Sequence, residues 1–389
     1  MSKYTAQTDS YLFASLDSQQ LSISEKALSL LTAHGSDWQH FRKCVNPVLM
    51  SPHSMDVYFP SFSNLNMSFV NRIREIRDPI TQEVPGNFYK DIYRSLLQSI
   101  VVVAMNKDLS DSEADELNDV LVDVLQHIFV IEYKPSLWKV FKTSEDKKYF
   151  DNLRKLHDLT SGFILNTIEH QNEDTILGKL LKVDEHVAVA MAIEMMLAGV
   201  NTIANSLAGI LLCLAKNPEK QEILRNEVFS YLPEKHSQFS LEGSRNMPYL
   251  RACIKEGMRS YPIAIGHLRT TNKDMILEGY QIPKGSDIFL NFGDNLEDDH
   301  YFENSNMFLP ERWINGNGYD KPDPFTFLPF SFGPRSCVGK RIANIQMEFY
   351  LSRVIRNFYV SFDYSTENAF VNYFSNYISI PLMFRFEDV

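Results

Sequence analysis

The most apolar stretch of the chain, Val187 to Leu214, is long enough to cross a membrane as a helix. Polar side chains interrupt it at Glu194, Asn201 and Thr202, and such groups are costly in lipid. Glu194, Ala198, Asn201, Thr202 and Asn205 recur at spacings that place them on one face of a helix. The pattern therefore predicts a long core helix with a polar stripe, in which Ala198 and Gly199 leave room for a bulky group beside the helix.

The remaining hydrophobic pattern is mainly helical as well. Apolar and charged residues alternate at a helical period over Asp111–Ile131, Ser144–Glu169 and Lys340–Asn357. Beyond Tyr261, short runs such as MILEGYQIP and DIFLNF are broken by Gly and Pro, which is typical of small strands and turns. The sequence contains neither internal repeats nor a linker-like stretch. The hydrophobic pattern therefore predicts one domain over residues 1–389, mainly α with small β-sheets.

One apolar loop between the predicted helices has two interpretations. It spans Tyr133 to Phe141 and is centred on Leu137 and Trp138. The loop either packs into the core or forms a patch that dips into a membrane surface, which would make the protein a peripheral membrane protein.

Composition and charge exclude several classes of protein. With 44% hydrophobic and 22% charged residues, the chain has ordinary globular composition. A net charge of −11 excludes a nucleic-acid binder that relies on a basic surface. The four cysteines lie far apart, without a CxxC pair, which disfavours both a zinc site and a disulfide framework. Met1 to Gln20 has neither a signal peptide's apolar core nor the Arg-rich character of a transit peptide.

The segment FSFGPRSCVG places one of these cysteines, Cys337, in a Gly-rich turn directly before a predicted helix. Backbone N–H groups at a helix N-terminus stabilise a thiolate, so we expect the thiol pKa to be lowered. Gly333 and Gly339 permit tight turning and close approach of the backbone to a ligand. Arg335 supplies a fixed cation for a nearby anion.

This segment resembles the cytochrome P-450 superfamily, the haem-thiolate monooxygenases. The signature FxxGxRxCxG of that family is matched by Phe330, Gly333, Arg335, Cys337 and Gly339. The resemblance implies a triangular-prism fold, rich in α-helix, that binds haem b (iron protoporphyrin IX). It also implies that Cys337 is the axial ligand of the haem iron.

Two further segments resemble the structural motifs of this family. Glu256 and Arg259 match its ExxR pair, and Arg312 lies in a PERW segment that follows in the family's order. On spacing alone, Glu256 and Arg259 could equally form a surface ion pair that contributes little to stability. The resemblance implies a buried cluster of the three that stabilises the core beneath the haem.

AGVNT resembles the oxygen-activation motif that the family carries on its long helix. The resemblance implies that Ala198 and Gly199 make room for dioxygen and that Thr202 steers protons. Asn201 occupies a position where the family usually has an acid, and an amide cannot relay a proton as a carboxylate does. Either Thr202 and water carry the relay, or turnover is weakened.

Several basic residues match positions at which the family contacts the haem propionates. Trp38 and Arg42 match its WxxxR segment, and Arg269 follows the ExxR helix. With Arg335 they would bind the propionates through charge-assisted hydrogen bonds. A solvated surface arginine is the alternative for Arg42 and Arg269.

Within the superfamily, the segments CVNPVLMSP, NPEKQEILRNEV and CVGKRIA resemble the animal mitochondrial type. That resemblance implies a location on the matrix side of the mitochondrial inner membrane and electrons from a small acidic ferredoxin. Arg251 and Lys255 match the docking positions of that group, and Lys340 and Arg341 fit the same basic face. A solvated helix face is the alternative for these residues.

The resemblance covers the chain from about Gly35 onward, and we expect an N-terminal region of the fold to be missing. It implies a monooxygenase that inserts one atom of O2 into a lipophilic substrate, sterol-like or xenobiotic. Asn201 and the missing region motivate an alternative, a haem-binding protein with impaired catalysis.

Overall fold

The computed structural model describes residue 33 and residues 35–133, 144–168, 172–239, 243, 245–319, 322–372 and 375–389. Within these residues the chain is mainly helical, as the hydrophobic pattern predicts. The helices before the central one are α1 (Gly35–Leu49), α2 (Phe59–Ile76), α3 (Tyr89–Met105), α4 (Asp111–Tyr133), α5 (Ser144–Ile168) and α6 (Ile176–Val183). The remaining helices are α7 (Glu185–Glu194), α8 (Val200–Lys216), α9 (Pro218–Tyr231), α10 (Pro248–Ser260) and α11 (Lys340–Asn357).

The strands form small antiparallel pairs after the ExxR helix, α10. These pairs are β1 (Gly266–Thr270) with β4 (Asp287–Asn291), β2 (Met275–Leu277) with β3 (Tyr280–Ile282), β5 (Phe358–Ser361) with β8 (Arg385–Asp388), and β6 (Phe370–Asn372) with β7 (Asn376–Ile378). Glu278 and Gly279 join β2 to β3 with φ of 48° and 82°, the backbone that a two-residue hairpin requires. The predicted fold class, mainly α with small β-sheets, is confirmed.

The predicted long helix is a continuous helical stretch over Glu185–Lys216, in which a π-helical turn, Met195–Gly199, joins α7 to α8. Among the described residues it is the one helix long and apolar enough to span a membrane, but 78% of its most apolar window is buried inside the protein. Asp184 begins the stretch by accepting a hydrogen bond from the Val187 amide. The stretch is thus the core helix that the interrupted apolar pattern predicts.

Helix α10 packs closely on α8, and this contact positions the residues that follow it. A Cβ atom added at Gly257 would lie 2.5 Å from Cγ1 of Ile210, so only glycine allows the approach. The short 3₁₀ helix Pro310–Trp313 packs on the same helix α10. The ExxR and PERW segments therefore meet.

Candidate active site

A cavity of about 330 Å³ lies between the central helix and the loop that precedes α11. Cys337 lines it from the loop, together with Phe330 and Gly339. Ala198 and Thr202 line it from the central helix. Most other lining residues are apolar: Leu49, Ile100, Met191, Met195, Ile203, Met258, Pro262, Ile263, Ala264, Phe292, Leu296, Phe327, Pro329, Val338, Ile342, Ala343 and Met347.

The Cys337 loop is a tight turn closed by backbone hydrogen bonds. The Cys337 amide donates to the Phe330 carbonyl at 2.9 Å, and the Ser336 amide donates to the Gly333 carbonyl at 3.0 Å. Gly333 has φ of +72°, which favours glycine. Gly339 has φ of −81°, so its backbone does not require glycine. The loop thus presents the cysteine side chain, which remains accessible, toward the cavity.

The Cys337 thiol does not have the lowered pKa that its place before a helix predicts. Burial raises its pKa above the ordinary value and outweighs the opposing effects of the Gly339 and Lys340 N–H groups and of the Arg42 charge. The N–H groups at the helix start therefore lower the thiol pKa as predicted, but burial reverses the net direction. A coordinated metal ion deprotonates a thiol outright, so an N–H-bonded sulfur that lines an apolar cavity fits an iron ligand.

Three arginines lie beside the Cys337 loop. The Arg42 guanidinium donates to the Ser336 carbonyl at 3.0 Å, Arg335 donates to the Ala33 carbonyl at 3.0 Å, and Arg269 donates to the Ser331 hydroxyl at 2.8 Å. Arg335 also lies over the Trp38 ring, 4.1 Å from its centroid. Among the described residues none of the three forms an ion pair with a carboxylate.

These cations fit an anionic ligand. Burial lowers the pKa of Arg335, and the charges of Arg269 and Arg42 lower it further. Arg42 is 8% exposed, and its Nε has no hydrogen-bond partner. A ligand with carboxylates at its edge would offset the repulsion among the three arginines and would accept a hydrogen bond from Arg42 Nε. The donor set and the apolar cavity therefore fit a haem, whose two propionates flank an apolar macrocycle.

The central helix turns Ala198, Gly199 and Thr202 toward the cavity. The Thr202 hydroxyl donates to the carbonyls of Ala198 at 2.8 Å and Gly199 at 3.2 Å. Those carbonyls end the π-helical turn, in which the i→i+4 hydrogen-bond pattern of an α-helix is interrupted. π-helical turns frequently lie at functional sites.

Asn201 does not line the cavity. The polar residues of the central helix therefore lie on two faces and not on the single predicted one. The Asn201 side chain is buried, and its Oδ1 accepts hydrogen bonds from the Tyr89 hydroxyl at 3.1 Å and the Asn205 amide at 3.1 Å. The Tyr377 hydroxyl also hydrogen bonds with Asn201. Asn205 in turn accepts from the Ile378 amide at 2.8 Å. The network joins the central helix to α3 and β7.

The ExxR and PERW segments form one buried cluster around the Glu256 carboxylate. Arg259 donates to it at 2.9 and 3.1 Å, and Arg312 donates at 3.1 Å. The Leu309 amide and the Trp313 indole complete the set at 3.0 and 2.8 Å. Trp313 was missed as a site residue, although its place beside Arg312 in PERW was a signal. Glu256 is 0% exposed, so five hydrogen bonds compensate the desolvation of its charge.

The four candidate docking residues lie near the Cys337 loop. Burial lowers the pKa of Lys255, and the charges of Arg251 and Lys340 lower it further, which places the three cations close together. The Lys340 N–H bonds to the Cys337 sulfur, and Arg341 donates to the Met50 carbonyl at 2.7 Å.

The resemblance also implies a substrate pocket formed by the loop before Trp38, Met195–Thr202, Ile263–His267 and Tyr373–Tyr377, and the cavity matches this set in part. Met195 and Ile263 line it, whereas His267 and Tyr377 do not. The loop before Trp38 and residues 373–374 lie largely outside the described residues, as do residues 134–143 of the apolar loop. Glu194, which the sequence places in the polar stripe of the central helix without a role in the site, also lines the cavity.

Comparisons with known proteins agree with this geometry. A family model described as Cytochrome P450 matches residues 7–375. The chain is 41% identical to cytochrome P450 CYP12A2 of Musca domestica and 42% identical to the probable mitochondrial cytochrome P450 12a5 of Drosophila melanogaster. It is 37% identical to the probable mitochondrial cytochrome P450 12c1 of the latter species. Each match covers 92% of this chain and 73% of the relative.

The predicted resemblance to the mitochondrial type is thereby confirmed, and the names of the relatives support a mitochondrial location by resemblance. The predicted cofactor, haem b, and the predicted enzyme class follow from the family. This chain belongs to the cytochrome P450 family of haem-thiolate monooxygenases.

Proposed function

We propose that this protein inserts one atom of O2 into a C–H bond of a lipophilic substrate, while the second atom leaves as water with two protons and two electrons. One observation carries the proposal: Cys337 and the Ala198–Thr202 face line the same apolar cavity. When bound there, the haem would supply the binding and activation of O2.

Cys337 would hold the iron through its sulfur, and the N–H groups of Gly339 and Lys340 would stabilise the negative charge on that atom. Arg42, Arg269 and Arg335 would neutralise the propionates, and their mutual repulsion supports this role. Glu256, Arg259 and Arg312 would stabilise the core on the cysteine side without taking part in the chemistry.

Thr202 would hold the proton needed at the cavity wall. Its hydroxyl group lies at the cavity and carries one proton on Oγ1, which now bonds the Ala198 carbonyl. Ala198 and Gly199 carry too little side chain to fill the space beside it, so a small ligand such as O2 fits there. Asn201 would take no part in the relay, because its side chain faces Tyr89 and Asn205.

The substrate would be lipophilic, sterol-like or xenobiotic, because apolar side chains make up most of the wall. Its electrons would come from a ferredoxin-type donor at Arg251, Lys255, Lys340 and Arg341. This patch lies beside the Cys337 loop, which would keep the electron path short. We place the protein on the matrix side of the mitochondrial inner membrane, and peripheral membrane contact through Tyr133–Phe141 rests on sequence alone.

The carbon monoxide difference spectrum of the reduced, haem-loaded protein tests the proposal. We expect the red-shifted Soret band of a thiolate ligand in the unaltered protein and its loss in Cys337→Ala. Cys44→Ala is the matched control and should keep the band, since Cys44 does not line the cavity. An unchanged band in Cys337→Ala would refute the assignment of the ligand.

A further inference from the structure

We propose that Ser331 is a positioning residue of the cofactor site: its hydroxyl holds Arg269 among the cations that fit the haem propionates. The inference rests on the proposed function, in which Arg269 neutralises a propionate. It gives a role to a residue that lies inside the signature FxxGxRxCxG at a position that the signature leaves open.

The first observation is the backbone of Ser331. Its φ is +60°, in the left-handed region that residues other than glycine, asparagine and aspartate rarely adopt. Gly333, two positions later in the same loop, has φ of +72° and is the residue type that this conformation favours. Strained backbone persists where the surrounding structure holds it, and such residues cluster at functional sites. A serine at this position therefore needs a reason that a glycine would not.

Hydrogen bonds on both sides of Ser331 hold this conformation. The Ser331 amide donates to the Leu328 carbonyl at 3.0 Å, and the Phe330 carbonyl accepts from the Cys337 amide at 2.9 Å. The Ser331 hydroxyl then lies 2.8 Å from Nη2 of Arg269, which donates to it. The residue with the strained backbone is thus the residue whose side chain contacts Arg269.

Arg269 depends on this contact for its position. Among the described residues its other hydrogen bond runs from Nη1 to the carbonyl of its own neighbour Leu268, at 2.8 Å. The charge of Arg269 lowers the pKa of Arg335, so the two guanidinium groups lie close enough to repel each other. A long side chain under such repulsion gains rotamer freedom when it moves into water. The Ser331 hydroxyl opposes that movement.

A hydroxyl suits this role better than a carboxylate. A carboxylate would form an ion pair with Arg269 and compete with a propionate for the guanidinium. The Ser331 oxygen accepts a hydrogen bond without neutralising the cation. Arg269 therefore keeps its full charge for an anionic ligand, and Ser331 acts through Arg269 without touching that ligand.

The test measures the rate at which the haem-loaded protein transfers its haem to excess apomyoglobin. Ser331→Gly and Ser331→Ala both remove the hydroxyl, but glycine relieves the backbone strain and alanine keeps it. Both variants should lose haem about five-fold faster, because Arg269 must then be immobilised when haem binds. Ser331→Asn retains an acceptor oxygen on a residue type that tolerates left-handed backbone, so its rate should stay within about two-fold of the unaltered protein.

The order of the variants separates positioning from a role of the backbone alone. If only the backbone mattered, Ser331→Gly would retain haem at least as well as the unaltered protein. In an Arg269→Ala background, Ser331→Gly should not accelerate haem loss further, since the two residues act through one contact.

Haem loss from Ser331→Gly as slow as from the unaltered protein, or a further acceleration in the double variant, would overturn the proposal. Failure of the proposed function is distinguishable. It removes the thiolate-type carbon monoxide band of the unaltered protein, whereas failure of the Ser331 proposal leaves that band in place.

Discussion

Asn201 and Thr202 are neighbours in the sequence with different surroundings. Thr202 reaches the cavity, whereas Asn201 bonds Tyr89, Asn205 and Tyr377 inside the protein. The amide suits this network because it both donates and accepts hydrogen bonds. A carboxylate at the same place would only accept, and the described side chains that bond it are neutral.

Asn201→Asp should therefore not raise turnover. We expect it to destabilise the protein by about 2 kcal/mol, because a charge is buried among neutral partners. Thermal unfolding and the yield of product per electron pair measure the two effects. Thr202→Ala is the comparison: it should keep the melting temperature and lower the yield several-fold. A rise in turnover for Asn201→Asp at unchanged stability would show that residue 201 does reach the reaction.

Cys337, Arg335 and Thr202 all line the cavity, and the sequence brings them together because each lies in a short motif whose geometry is local. The position of Asn201 could not be read from the sequence, since its surroundings depend on Tyr89, 112 residues earlier in the chain. The sequence also could not show the net effect of burial on the Cys337 pKa, since desolvation depends on side chains from distant segments.

At the scale of elements, the predicted bounds of α11, Lys340–Asn357, match the structure. The helical period of its residues and the glycine before it, Gly339, indicate the same start of the helix. The π-helical turn Met195–Gly199 was not predicted. Its residues, MMLAG, are ordinary helix formers apart from Gly199, so composition carries no signal for a wider turn. Without the wider turn, the sequence predicts one polar face on the central helix, whereas the structure has two.

The substitutions Gly333→Ala and Gly339→Ala compare how much stability each glycine of the Cys337 loop contributes. A Cβ at Gly333 meets nothing within 4 Å, so its cost is the left-handed backbone alone, about 1–2 kcal/mol. A Cβ at Gly339 would lie 3.7 Å from Cys337 Sγ, an ordinary contact. Urea unfolding should show the larger loss for Gly333→Ala. Equal losses would mean that the turn can relax to accept a side chain.

At the scale of the whole molecule, a net charge of −11 opposes the binding of an acidic ferredoxin. The cluster of Arg251, Lys255 and Lys340 is a local exception, and local fields steer association over distances near the Debye length. Affinity for such a partner should therefore depend on a few side chains and fall as salt is added.

Lys255→Glu should weaken the binding of a mitochondrial [2Fe–2S] ferredoxin about five-fold or more and flatten its salt dependence. Lys284→Glu makes the same change in net charge at an exposed lysine in the β3–β4 turn and serves as the control. Surface plasmon resonance at several salt concentrations measures both. Equal effects of the two variants would assign the binding to net charge and not to this patch.

The Glu256 cluster also constrains the order in which a newly made chain can fold. Arg312 is synthesised 56 residues after Glu256. Until the ribosome has released Leu309, Arg312 and Trp313, the carboxylate lacks three of its five hydrogen bonds and gains by staying in water. Helix α10 can therefore bury this carboxylate with its full set of partners only after Trp313 has left the ribosome.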